Sequence, residues 1–193
     1  CGYGEDKGIF GFGNDGSVCD ITNLVSNAGV VASDVTGVGT ARQYPAATQY
    51  GGDKGIFGYG NDGSVTAVTN LVSNAGVVAS DVTGVGTARE TLAACSYGED
   101  KGIFGFGYDG SGAVSMTNLV SNVGVVGTDV TGVGTARSDT SACEYGGNKG
   151  IFGFGNAAGV TGVTNLVSST GVVATDVTGV GTARRELAAC SFN

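Results

Sequence analysis

The chain has 193 residues, of which 41% are hydrophobic, and its formal net charge is −8. A chain of this length can bury a sizeable core, and its apolar content is too high for a disordered protein. Its 38 glycines come with a single proline and no Gly-X-Y period, which excludes collagen. The acidic balance disfavours nucleic acid as a partner, because phosphate binding needs clustered Lys and Arg. No apolar run reaches the roughly 18–20 residues of a bilayer span, so we expect no membrane insertion.

One stretch of sequence, TNLVSNAGVVASDVTGVGTAR, recurs along the whole chain. It occupies residues 22–42, returns unchanged at 69–89, and returns with small changes at 117–137 and 164–184. The arginines that end the four copies stand 47, 48 and 47 residues apart. Such self-similarity is the strongest signal of fold in a sequence. It divides a single domain, 1–193, into units of approximately 1–42, 43–89, 90–137 and 138–184, followed by a tail at 185–193.

Within a unit the apolar residues alternate as in strands and show no helical periodicity. In GIFGFG, residues 8–13, the alternation places Phe10 and Phe12 on one face and Ile9 on the other. The Asn-Asp-Gly that follows at 14–16 is a strong hairpin signal. Further strands are predicted at 21–26, 30–33 and 45–50, joined by turns that contain glycine. Each unit therefore predicts four short antiparallel strands.

A four-stranded unit of about 47 residues is typical of a β-propeller blade. The order R…AA…YGGDKGIFGYG…NLVSN…GVV resembles the kelch repeat, in which a basic residue precedes a first strand and a glycine pair ends the second. The wording DKGIFGFG…TNLVSN…GVGTAR also resembles tandem repeats of uncharacterised viral and environmental structural proteins. The sequence predicts an all-β, four-bladed propeller built from these four-stranded antiparallel repeats.

The tail predicts how the ring would close. Small residues such as Ala46 and Ala47 suit inner strands that crowd a narrow axis. Residues 185–193 duplicate the inner strand that the first unit lacks, so we expect them to complete the first blade as a closing strand. Alternatively, this strand would enter the first blade of a neighbouring copy and join copies head to tail.

The five cysteines include no CxxC pair. Ring closure would bring Cys1 close to Cys190, and we predict a disulfide between them, with two free thiols as the alternative. Cys95 and Cys143 occupy equivalent places on different blades and are expected to be too far apart to bond. No partner for Cys19 is evident.

Catalytic and metal-binding constellations are absent from the sequence. The chain has no histidine, which excludes Ser-His-Asp and Cys-His arrangements, so we expect no enzyme, no metal and no cofactor. The aspartates of the DVTG segments could line a cation channel, but turn capping is the role we expect. The arginines that end the units could form an anion-binding ring, but pairing with carboxylates or carbonyls is expected instead. These residues are Asp34, Asp81, Asp129, Asp176, Arg42, Arg89, Arg137 and Arg184.

The units differ most in the hairpin after GIFGFG and in the residues after each arginine. Both segments should emerge on one face of the domain, opposite the near-invariant YGGDK and SNAGVV turns. Variable loops on a rigid scaffold are typical of binding surfaces, and neutral drift is the alternative. The candidate interaction loops contain Asn14, Asp15, Asn61, Asp62, Tyr108, Asp109 and Asn156.

Near-identical units without catalytic residues favour a non-enzymatic structural or interaction module. The sequence predicts a building block of an extracellular or virion-associated fibre or array, whose partners are copies of itself, head to tail or stacked, or neighbouring structural proteins. Because the chain begins at Cys1, we expect a processed product or part of a longer protein. The alternative is a glycan-binding, lectin-like propeller with aromatic platforms, although the same rings could pack between blades. The candidate platforms are Tyr3, Tyr50, Tyr97 and Tyr145.

Overall fold

The computed structural model describes residues 1–191, and that range is all-β, without a helix. Each unit forms one antiparallel sheet of three strands, which lie in sequence order. The strands are β1 (Gly2–Tyr3), β2 (Lys7–Asn14), β3 (Val18–Val25), β4 (Ala46–Tyr50), β5 (Lys54–Asn61), β6 (Val65–Val72), β7 (Ala93–Tyr97), β8 (Lys101–Gly105), β9 (Thr117–Val120), β10 (Ser141–Tyr145), β11 (Lys149–Gly153) and β12 (Thr164–Val167). Within these residues, no element is a helix of the length and apolarity that a membrane crossing requires.

The middle strand organises each sheet. In the second unit β5 pairs with β4 from Lys54 to Gly58 and with β6 along its other edge. The turn between β4 and β5 needs left-handed backbone, with φ of 62° at Gly51 and 77° at Gly52, and glycine adopts this conformation without steric cost. The first glycine of this turn is present in all four units, whereas in the first and third units the second position is a glutamate with φ of 69° and 72°.

The predicted strand at 30–33 is not formed. One isolated bridge, Val25 to Val31, falls within it, and a second, Thr22 to Val35, follows it. The side chain of Asn23 interrupts the ladder, because its amide donates to the carbonyl of Ala32 at 3.1 Å and to the carboxylate of Asp34 at 2.8 Å. Each unit thus has three strands and an irregular edge instead of four strands.

A β-bulge overturns the predicted facing of the aromatic residues. The register of the middle strand shifts between Gly11 and Gly13, and Phe12 has a left-handed φ of 63°. A bulge re-aims the side chains that follow it. Phe12 therefore turns away from the face that Phe10 occupies, and packs against the next unit along the chain.

The four sheets follow one another as an open series, and the predicted ring closure is wrong. Within residues 185–191 no strand forms, and β1 pairs only with β2. β1 contains two residues and pairs with β2 only at Lys7 and Gly8, so within the described residues no strand occupies the rest of that edge of β2, where the closing strand is predicted. Residues 192–193, the end of the predicted closing strand, lie outside the described residues.

The core lies between the sheets and not within any one of them. Three apolar clusters each join consecutive units, the first through Tyr3, Ile9, Phe57 and Val72. The first strands β4, β7 and β10 lie side by side. Stability of such an array comes largely from interfaces between neighbouring units.

Candidate functional site: the junctions between units

Every unit has two sheet faces with different chemistry. We call the face toward the following unit the forward face and the face toward the preceding unit the rear face. At the first junction the forward-face ring of Phe12 meets the rear-face ring of Phe57 edge to face, with centroids 5.2 Å apart. The same contact joins Tyr59 to Phe104 at 5.1 Å. A third copy joins Phe106 to Phe152 at 5.1 Å. Edge-to-face geometry is the favourable arrangement for such rings.

A buried arginine crosses each junction. Arg42 is 0% exposed, and its guanidinium lies 3.9 Å from the centroid of Phe12 in its own unit. Its Nε donates to the carbonyl of Tyr59 at 2.8 Å, and Nη2 donates to Oδ1 of Asn70 at 2.7 Å, both in the next unit. Nη1 donates to the carbonyl of Thr40 at 3.0 Å. The acceptors are neutral, so the role expected of the arginine, pairing with nearby carbonyls, matches this geometry.

Burial has an electrostatic cost that the junction tolerates. It lowers the pKa of Arg42 to about 10, although Asp81 and Asp62 act in the opposite direction. Burial likewise lowers the pKa of Arg137 to about 10. Both groups remain charged at neutral pH, and their hydrogen bonds replace those lost from water.

The aspartate of the DVTG segment forms the rim of the junction. Asp81 accepts hydrogen bonds from the backbone N–H of Thr40 at 3.0 Å and from its hydroxyl at 2.7 Å. It also accepts from Nδ2 of Asn70 at 2.9 Å. The sequence predicts turn capping for this aspartate, whereas the structure shows a link to the preceding unit. Thr, Arg, Asn and Asp thus form one network across the boundary.

The network recurs at the other two junctions with nearly the same distances. Its members there are Thr87, Arg89, Asn118 and Asp129, and then Thr135, Arg137, Asn165 and Asp176. The guanidinium to amide distances are 2.7 and 2.6 Å. Each arginine again stacks over an aromatic ring of its own unit. Sequence reasoning missed this network, although its four residue types recur at fixed spacing in every unit.

The two end units carry unfilled halves of the junction. Arg184 is exposed, stacks over Phe154 at 4.1 Å, and within the described residues donates only to the carbonyl of Thr182 at 3.1 Å. Phe10, on the rear face of the first unit, is 64% exposed, whereas its equivalents Phe57 and Phe104 are buried. A ring or guanidinium of this kind is therefore buried only where a neighbouring unit covers it.

The proposed glycan platforms follow the same rule. Tyr3, Tyr50 and Tyr97 are buried, while Tyr145 on the last unit is 36% exposed. A Cβ added at Gly76 would lie 3.0 Å from the ring of Tyr3, which shows how closely the ring packs on the next unit. Three of the four tyrosines thus have no open face for a sugar.

Residues of the first strands and the tail line a single cavity of about 370 Å³. Both Cys1 and Cys190 line it. All five cysteines are free thiols in the described part of the chain, and the Cys1–Cys190 disulfide stays a prediction. Burial raises the pKa of Cys95 to about 12, so that thiol stays protonated at neutral pH. Among residues 1–191, no group of His, Cys, Asp or Glu side chains is arranged to hold a metal ion.

The variable loops and the segments after each arginine lie together, as their strand order suggests. Gln43 and Asn61 exchange backbone hydrogen bonds at 2.9 Å, and Nδ2 of Asn14 donates to Gln43. The hairpins close on themselves, since Asn14 accepts from the N–H of Gly16 and Asp109 from that of Gly112. Of the remaining candidates Asp15 and Asp62 hold their loops in the same way, and Tyr108 and Asn156 bridge to Glu90 and Ser138. Apart from Asn156, whose bridge to Ser138 is made by its backbone, these residues use their side chains to hold the loops.

Comparison of the chain with known protein families and with curated proteins finds no match.

Proposed function

We propose that the chain is a non-enzymatic structural module, whose units stack face to face as propeller-like blades in an open array. The observation that carries this proposal is the junction network, which is built three times with the same residues. Three features support the comparison with blades: sheets in sequence order, first strands around one cavity, and an irregular outer edge. The residues that recur in every unit hold units together, and the function that we propose for them is to build an array.

The setting that we propose is an extracellular or virion-associated fibre or array. An acidic surface with few cations keeps repeated units soluble and apart except at matched faces. Partners in that setting are further copies of the same repeat or neighbouring structural proteins. Glycan binding has no comparable observation in its favour, because three of the four candidate tyrosines are covered.

Negative-stain electron microscopy of the native material tests the proposal. We expect filaments or ordered arrays with a regular axial repeat. Isolated particles without ordered neighbours, in material purified without dissociating agents, would contradict it. A screen of the same preparation for hydrolase activities should give no turnover above a buffer control.

A further inference from the structure

We propose that the forward face of the fourth unit docks onto the rear face of the first unit of a second copy, so that copies join head to tail. This inference rests on the proposed structural function and names the contact that would build the array. The forward face is defined by Tyr145, Phe154, Thr182 and Arg184. The rear face is defined by Gly8, Phe10, Asn23, Gly29 and Asp34.

The rear face has the shape of an internal junction with its partner removed. Gly76 is covered by the ring of Tyr3, whereas nothing lies within 4 Å of a Cβ added at its equivalent, Gly29. Phe10 is 64% exposed where Phe57 is 3% exposed. The exposed ring and the open glycine correspond to the two positions that Phe and Tyr of the preceding unit cover at every internal junction.

The forward face carries the matching donors. Arg184 already stacks over Phe154, as Arg42 does over Phe12, so its guanidinium is placed for docking. A Cβ added at Gly39 would overlap the carboxylate of Asp81 in the next unit, whereas nothing lies within 4 Å of a Cβ added at its equivalent, Gly181. The charges of the two faces are complementary, because Arg184 lies on the forward face and Asp34 lies on the rear face.

The strand register supports the same docking. The middle strand β5 is paired with β4 from Lys54 to Gly58, but its equivalent β2 is paired with β1 only at Lys7 and Gly8. Residues 188–189 of the tail correspond to Ala46 and Ala47, which complete this pairing in the second unit. Cys190 corresponds to Cys1 in the repeat. In the complex the tail would therefore leave the edge of β2 of the second copy at Cys190, because Cys1 of that copy already occupies this place.

The contact is heterologous, since two different faces meet. Repetition of such a contact generates a ring of copies if the rotation closes, and a helical filament if it does not. It also predicts that one copy with a blocked rear face still offers its forward face to others. This property separates head-to-tail docking from a symmetric dimer, in which the same surface of both copies is used.

Substitution of Gly8 tests the docking without disturbing the fold. An added Cβ at Gly8 meets only ordinary contacts, the nearest being Val25 at 3.5 Å. At the equivalent Gly55 it would lie 2.8 Å from Sγ of Cys1 and 3.1 Å from the carbonyl of Gly2, both in the preceding unit. Gly8→Ala should therefore fold normally and obstruct the second copy. Gly112→Ala, in an open loop position, is the matched control.

Sedimentation velocity of the 193-residue chain over a range of concentrations gives the result. We expect the wild type and Gly112→Ala to self-associate, and Gly8→Ala and Arg184→Ala to associate roughly tenfold or more weakly. Phe10→Ser provides a second rear-face variant, and unchanged melting temperatures confirm that each variant is folded. A mixture of Gly8→Ala with Arg184→Ala should form a one-to-one dimer and nothing larger, because only one compatible pair of faces remains.

Different results overturn different claims. A wild type that is monomeric at every concentration would overturn head-to-tail docking. If the ring of Phe10 were also shielded from solvent in that monomer, the rear face would be covered within one chain. Wild-type association that Gly8→Ala and Arg184→Ala leave unchanged would show that copies meet elsewhere. In that case the structural function would stand, and it fails only if the native material forms no array.

Discussion

The internal units and the end units have nearly the same sequence but different surroundings. Phe104 is fully buried in the third unit, while Phe10 at the same position of the first unit is exposed. Arg89 is buried with four partner groups, and Arg184 lies open to solvent. This difference shows that the core of the protein lies at the junctions between units. A residue type at a given position becomes part of the core only when another unit covers it, so matched substitutions inside and at the ends should separate the two environments.

Removal of the rear-face aromatic residue should have the largest effect. Phe104→Ala removes a fully buried ring, and such truncations cost about 3–5 kcal/mol. Phe10→Ala at the exposed position should change the free energy of unfolding by less than about 0.5 kcal/mol. Urea titrations followed by circular dichroism, in solutions dilute enough to keep the chain monomeric, measure both values. Equal losses would show that the first unit is covered in solution.

Loss of a junction arginine should come next. Arg89→Ala leaves the carbonyl of Phe106 and the amide oxygen of Asn118 buried without a donor. Each buried unsatisfied group costs about 1–3 kcal/mol, so we expect a loss of roughly 3 kcal/mol. Arg184→Ala is the matched control and should be nearly neutral in the same urea titration. A neutral Arg89→Ala would contradict the role given to the network.

Close packing at the bulge gives a third comparison. A Cβ at Gly58 would lie 2.8 Å from Phe104 of the next unit and 3.2 Å from Thr69 of its own sheet. At Gly153 only the equivalent contact within the sheet remains, 3.2 Å from Thr164. Gly58→Ala should therefore cost about 1–3 kcal/mol through overpacking, and Gly153→Ala clearly less. Thermal unfolding of the two variants checks this. If Gly153→Ala lost more stability than Gly58→Ala, the fourth unit would be packed against a neighbour.

Much of the fold follows from the sequence. The 47- to 48-residue period, the all-β class and the first hairpin of each unit come from alternation and turn residues, and these are local signals. Small residues of the first strands, such as Ala47, line the cavity that these strands share, but the closed ring that the sequence predicts from them does not form. Packing between units is one of the two roles that the sequence allows for the tyrosines, and Tyr3 packs in this way.

The remaining features depend on contacts that no local pattern reveals. The edge at 30–33 is broken because one side chain, Asn23, competes for its hydrogen bonds. The facing of Phe12 is set by a bulge, which shifts the strand period by one residue. Asp81 binds a threonine 41 residues earlier in the chain. The recurrence of these polar types at fixed spacing in every unit is the signal in the sequence that could have revealed the network.

The rim aspartates should produce the smallest effect, and one that depends on pH. Burial raises the pKa of Asp129, but hydrogen bonds from Thr87 and Asn118 and the charge of Arg89 outweigh it, and the net shift is downward. A carboxylate with a lowered folded pKa stabilises the fold above its unfolded pKa of about 3.9, and this contribution is lost as the pH falls through the folded pKa. Asp129→Asn should cost about 1 kcal/mol at neutral pH.

The same substitution should also reduce the steepness of acid unfolding. Because the asparagine does not titrate, the difference in stability between wild type and Asp129→Asn should shrink as the pH is lowered from about 6 toward 2. Asp34→Asn, at the uncovered rear face, is the matched control and should follow the wild type at neutral pH. Urea midpoints at several pH values measure the trend. A difference that stays constant with pH would show that the charge of the Asp129 carboxylate contributes nothing at the junction. The hydrogen bonds that it accepts from the hydroxyl and backbone N–H of Thr87 would then be its whole contribution.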